Sequence, residues 1–108
     1  MYLLAVPVHV NKIEIDPNEG RYIHHVFNPG KTIHLNCRAA GNPQPHYRWT
    51  FSPKGDNLTE QILATEPSYT ITDAQEGNDG IYKCTVYNTI NQKLHSDSKK
   101  VYIRINGE

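Results

Sequence analysis

The side chains of this 108-residue chain that could do chemistry are two cysteines, six histidines and eleven acids. Cys37 and Cys84 occupy positions in alternating apolar and polar runs that point both of them into a core, and a buried thiol is an inert one. Neither therefore reads as a nucleophile. Serine, histidine and aspartate all occur, but no Gly-x-Ser-x-Gly elbow does, and no pair of carboxylates has a defining context. His24 and His25 are adjacent, so on an extended segment they face opposite ways and cannot easily share one metal. A zinc site from His24 and His34 would require their segments to pair. The histidines read as surface residues, with no metal and no cofactor expected. Asn57-Leu58-Thr59 is an N-glycosylation acceptor in a turn-rich stretch. A chain this rich in Asn and Thr should show about one such triplet by chance, so Asn57 is permissive for secretion and no more.

Composition narrows the classes further. Lys plus Arg and Asp plus Glu number 11 each and the sequence pI is near 7, so nothing global argues for nucleic acid. No apolar run approaches the roughly 20 residues needed to cross a bilayer. The opening Met1-Tyr2-Leu3-Leu4-Ala5-Val6 is too short for a signal peptide's apolar region and lacks a basic start. If the chain is a piece of a larger secreted or membrane protein, its targeting signals lie elsewhere. Its length suits a single domain spanning 1–108. With 37% hydrophobic residues, a core of that size would benefit from a covalent staple.

The elements that must position these residues read as strands, because period-2 alternation dominates. Ile33, Leu35, Cys37 and Ala39 alternate with polar residues. Gly41-Asn42-Pro43-Gln44-Pro45 breaks that strand, since two prolines remove donors and restrict φ. His46 to Phe51 follows, with Tyr47, Trp49 and Phe51 on one face. Leu58 to Leu63 is expected as a short edge strand, and Tyr69 and Ile71 mark another. Gln75 to Asp79 has the composition of a crossing loop. Tyr82, Cys84 and Val86 should face in, with Ile81, Lys83, Thr85 and Tyr87 facing out. Asn88 to Gln92 is expected as the hairpin turn before a last strand that carries Val101, Ile103 and Ile105 inward. Val6-Pro7-Val8 and Ile13-Glu14-Ile15 are first-strand material, and Asp16 to Pro29 has no assignment. The total is seven to nine strands in an all-β unit.

With Cys37, Trp49, Tyr82 and Cys84 in the order Cys…Trp…Tyr-x-Cys, the chain resembles an immunoglobulin domain of the intermediate, or I-set, type. The resemblance covers about 30–105 and rests also on Gly41-Asn42-Pro43-Gln44-Pro45, which is similar to the Gly-x-Pro-x-Pro turn before the core tryptophan. It implies an immunoglobulin-like two-sheet Greek-key sandwich, a Cys37–Cys84 disulfide between the sheets, Trp49 packed on it, and Tyr82 closing a corner. Such a disulfide, closing a loop of about 48 residues, should stabilise by roughly 4 kcal/mol. One departure stands out: Asn78 holds the position where the family usually has an aspartate, and no arginine lies between Trp49 and Cys84 to pair with one. The resemblance therefore implies no ionic clasp there, although Asn78 can still serve the Tyr82 corner as a turn residue.

Alternation also gathers Arg48, Thr50, Lys83, Thr85, Tyr87, Lys100, Tyr102 and Arg104 on one exposed sheet face, cationic and aromatic with no acid among them. Aromatic residues and arginine are frequent interface anchors. The expectation is a non-enzymatic recognition or adhesion module, one repeat of an extracellular cell-surface receptor or adhesion protein. Its partner would be a cell-surface or matrix protein (homophilic pairing included) or a sulfated glycan, beside neighbouring domains of the same chain. The alternatives are a structural repeat of an intracellular, sarcomeric filament protein and a secreted soluble ligand-binding protein. A free-thiol count on the native protein separates them: none is expected for the extracellular readings, and two would favour the intracellular one.

Overall fold

The computed structural model describes residues 4–18, 25–56 and 59–106, and within them the chain is built of strands. These are β1 (Val6–Asp16), β2 (His25–Phe27), β3 (Ile33–Asn42), β4 (His46–Pro53), β5 (Gln61–Ala64), β6 (Ser68–Ile71), β7 (Gly80–Ile90) and β8 (Lys93–Ile105). A 3-10 turn, Glu76–Asn78, precedes β7. One sheet has the order β1-β3-β6 and the other β2-β8-β7-β4-β5. Neighbouring strands are antiparallel except β2, which runs parallel to β8. The all-β unit expected from the alternation and the two-sheet sandwich implied by the resemblance are the observed architecture.

The core follows from strand periodicity. Ile33, Leu35 and Cys37 of β3 are buried against Trp49 and Phe51 of β4, Tyr82, Cys84 and Val86 of β7, and Ile103 and Ile105 of β8. In β1 the inward parity changes along the strand. Val8 and Val10 are buried, and then Ile13 and Ile15 turn inward. A bulge between Val10 and Lys12 explains this, because one extra residue flips every later side chain to the other face. The bulge leaves the Val10 N–H to be met from the other sheet, where Asp97 Oδ2 of β8 accepts it at 2.8 Å. His9 Nδ1 lies 3.4 Å from the same oxygen. The Asp97 carboxylate thus stitches β1 to β8 along one open side of the sandwich.

Three sequence expectations change. The edge strand expected at Leu58 to Leu63 is β5, Gln61–Ala64, with Leu58 outside the described residues. The hairpin turn is confined to Asn91 and Gln92, both at positive φ (51° and 68°), the two-residue geometry whose twist suits a tight hairpin. Asn88 to Ile90 continue β7 instead, paired with Lys93 to His95. Turn-forming composition was outweighed there by the ladder and by a buried role for Asn88. The unassigned Asp16 to Pro29 stretch contributes β2, whose parallel pairing gives it no hairpin signature in the sequence. His24, and with it the conceivable His24/His34 pair, lies outside the described residues.

Gly80 opens β7 opposite Pro53. A Cβ there would run into the Ser52 carbonyl oxygen and stand 2.7 Å from Phe51 Cε1. Gly80→Ala should therefore destabilise by about 1–3 kcal/mol, the usual cost of overpacking, read as a lowered urea midpoint. Asp97 adds a pH dependence. The Val10 N–H bond, more than the neighbouring Ser98 N–H, His9 and Lys99, holds its carboxyl below the ordinary value against the opposing effect of burial. A depressed folded-state pKa stabilises above the unfolded pKa, and that stability is lost as pH falls through the folded one. Urea midpoints compared at pH ~7 and ~3 should drop less in Asp97→Ala than in the parent.

Candidate functional site

Cys37 on β3 and Cys84 on β7 form the disulfide, joining the two sheets with their Cα atoms 6.4 Å apart. Trp49 is fully buried and sits directly opposite Cys84 in the β4/β7 register. Its indole Nε1–H donates to the Pro67 carbonyl at 2.9 Å, and the Cys37 backbone N–H donates to the same oxygen at 2.9 Å. Tyr82 forms the expected corner: its Oη donates to the Asn78 carbonyl at 2.6 Å. Burial pushes the Tyr82 phenol well above its ordinary pKa. The Asn78 side chain accepts the Gln75 N–H at 2.8 Å, so this residue serves the turn with both of its oxygens.

The next residue does what sequence reasoning did not assign to it. Asp79 is 3% exposed. One carboxylate oxygen accepts from Tyr102 Oη at 3.1 Å and the other from the Ile105 N–H at 3.0 Å. The inward carboxylate therefore ties the start of β7 to the end of β8. Asn88, 1% exposed, does the same at the opposite end: its Nδ2 donates to the Val6 and Pro43 carbonyls at 2.9 and 3.1 Å. An aspartate next to the expected acid position, and a polar residue at the inward parity of a strand, were the available signals.

The structure brings Arg48, Lys83, Thr85, Tyr87, Lys100, Tyr102 and Arg104 to the outer side of the five-stranded sheet. In cross-strand register Arg48 lies opposite Thr85, Lys83 opposite Lys100, and Tyr87 opposite both His46 and Ser96. Tyr102 pairs with Ile81, and Arg104 with Val26 of β2. The His46 and Tyr87 rings stack at 5.2 Å. Two shallow clefts cross the face, one lined by Ser52, Glu60, Ile81, Lys83 and Lys100, the other by Arg48, Thr85, Tyr87, Leu94 and Ser96. Ile62 and Leu94 are exposed at 63% and 64%.

The face does carry an acid, contrary to the sequence expectation. Glu60, just before β5, accepts the Thr50 hydroxyl at 2.6 Å and lies 3.1 Å from Lys83 Nζ. Thr50 is buried rather than displayed. The hydrogen bonds from Thr50 and then Lys83 hold the Glu60 carboxyl below its ordinary value, and Arg48 adds to this at longer range. Glu60 was missed because alternation within strands says nothing of a residue that folds back from a loop. Tyr102 has its hydroxyl committed to Asp79 and presents only its ring. Asn57 lies outside the described residues.

The outer side of the three-stranded sheet is knitted together instead. Glu14 Oε1 accepts from Asn36 Nδ2 at 3.1 Å and from Arg38 Nε at 2.7 Å, Ser68 Oγ donates to Asn36, and His34 meets Thr70. Its charged and amide groups partner one another across the strands. Among the described residues no cluster of three His, Cys, Asp or Glu could hold a metal ion.

A disulfide-pinned two-sheet sandwich with a buried tryptophan and a tyrosine corner is the plan of an immunoglobulin-type domain. Residues 13–88 match the family described as "Immunoglobulin domain", and the chain belongs to that family. It is 33% identical over 94 residues to the mouse mucosa-associated lymphoid tissue lymphoma translocation protein 1 homolog, a match covering 87% of this chain and 10% of that protein. It is 38% identical over 77 residues to the Caenorhabditis elegans basement membrane proteoglycan, covering 69% of this chain and 2% of the relative. The chain thus spans a tenth or less of these two relatives. Among solved structures it is similar to one of Dpr2 Ig1-Ig2 in complex with DIP-Theta Ig1-Ig3, at TM-score 0.63 and 25% identity, covering 94% of this chain and 32% of that one.

Tyr82→Phe isolates the corner. It should lose about 1–2 kcal/mol, because the Asn78 carbonyl is left without its donor, measured by urea denaturation with the fold checked by near-UV circular dichroism.

Proposed function

We propose that this chain is a non-enzymatic recognition module of an extracellular protein, binding a cell-surface or matrix protein through the outer face of β4, β7 and β8. The observation that carries this reading is the contrast between the two outer faces. On the three-stranded sheet the charged groups satisfy one another. On the five-stranded sheet Glu60 engages Lys83 alone, and Arg48, Lys100 and Arg104 stand beside the stacked His46–Tyr87 pair and exposed Leu94. Arginine and aromatic side chains beside exposed apolar ones are the residue types that anchor interfaces. The Cys37–Cys84 disulfide suits an oxidising compartment, and the likeness to a basement membrane proteoglycan supports the same placement.

The test uses the chain as a tetramer on cultured cells and on the matrix they lay down. The double variant Lys83→Glu/Arg104→Glu should bind at least about tenfold more weakly, the scale of losing central charged contacts. The same double charge reversal on the other sheet, Lys12→Glu/Arg38→Glu, should leave binding unchanged. Intact binding by the double variant contradicts the assignment of the face.

A further inference from the structure

Resting on that reading of the outer face, we propose that the cleft holding Lys83 and Lys100 receives a carboxylate-rich segment of a protein partner, and that Glu60 is an internal stand-in competing for the same cations. Lys83 and Lys100 are direct cross-strand partners on β7 and β8. Like charges placed opposite one another in an antiparallel pair destabilise it, so this pairing costs the fold something. Glu60 offsets part of the cost: its Oε1 lies 3.1 Å from Lys83 Nζ and accepts the Thr50 hydroxyl as well. Lys100 has no carboxylate within ion-pair distance among the described residues, although it lines the same cleft. From Lys100 the stripe continues along one face of β8 through the Tyr102 ring to Arg104. Its cations and ring therefore recur about every 7 Å, the spacing of alternate side chains on an extended peptide.

The chemistry of the surroundings selects a protein carboxylate over the other anions. A sulfated glycan would bring closely spaced charges against the Glu60 carboxylate in the middle of the cleft. It would also leave Ile62 and Leu94, exposed on either side of the cations, with nothing apolar to bury against. A second copy docked face to face would set Arg48, Lys83, Lys100 and Arg104 against the same four cations, with one Glu60 carboxylate on each side. Such like-charge juxtaposition disfavours the pairing.

The experiment is a ¹⁵N-edited NMR titration of the chain with a synthetic Glu-rich decapeptide, repeated with a heparin-derived hexasaccharide at the same ionic strength. The peptide should shift the amides of Ser52, Ile81, Lys83 and Lys100. Lys100→Gln should weaken binding, and Glu60→Gln should tighten it about three-fold by releasing Lys83, the scale of one exposed ion pair. Glu14→Gln, which makes the same change in net charge on the opposite sheet, should leave the affinity unchanged. The proposal is overturned by peptide shifts outside the cleft or none at all, by equal tightening in Glu60→Gln and Glu14→Gln, by tighter binding of the hexasaccharide, or by concentration-dependent shifts of the same amides without ligand. A failed titration beside intact, face-dependent binding to cells or matrix overturns the carboxylate cleft and leaves the binding face standing.

Discussion

The Pro67 carbonyl oxygen takes hydrogen bonds from both sheets, and the disulfide runs beside it. Cys37 N–H belongs to β3 of one sheet and Trp49 Nε1–H to β4 of the other, each 2.9 Å from that oxygen. A carbonyl has two lone pairs, so both donors are satisfied by one acceptor where water is excluded. An unpaired buried donor at this point would cost about 1–3 kcal/mol, and the disulfide adds roughly 4 kcal/mol by the chain-entropy estimate. The outer face inherits this anchoring. Arg48 precedes Trp49 and Lys83 precedes Cys84, so alternation alone turns them outward from two buried, clamped neighbours.

Buried polar groups finish what the clamp begins. Asp79 ties the start of β7 to the end of β8 at one end of the sandwich, and Asn88 ties the start of β1 and the Pro43 turn to β7 at the other. Both are almost wholly buried: Asp79 has both carboxylate oxygens hydrogen-bonded, while Asn88 spends its amide N–H groups on two carbonyls and its Oδ1 finds no partner among the described residues. Asp79 replaces the family's usual arrangement with a different one. The corner tyrosine keeps its bond to a turn carbonyl, and the carboxylate one position later reaches across to β8. Asp97 works in a third way, satisfying an N–H that the β1 bulge leaves outside its own ladder.

Much of this was legible in the chain. Alternation in β3, β4 and β7 specified which residues face the core, and the family resemblance carried by Cys37, Trp49, Tyr82 and Cys84 implied how the sheets are joined. What escaped has physical reasons. Parallel pairing of β2 leaves no hairpin signal, and a bulge in β1 reverses parity without any mark in composition. Asn88 has the composition of a turn, yet its amide is consumed by two carbonyls distant in sequence. Glu60 reaches the face from a loop, which no strand periodicity can report. The candidate site was therefore readable as a set of outward cations and rings, while the counter-ion that divides it was visible only in three dimensions.

Recognition through a sheet face requires that the face be held still from behind, and the shared Pro67 acceptor with its adjacent disulfide is the point that holds it. Native-state hydrogen exchange on the oxidised chain tests this most directly, followed at the Cys37 amide and the Trp49 indole N–H. Both should exchange only through global unfolding, with the same free energy as urea denaturation reports. Exchange of either proton through a local opening of much lower free energy would contradict the account.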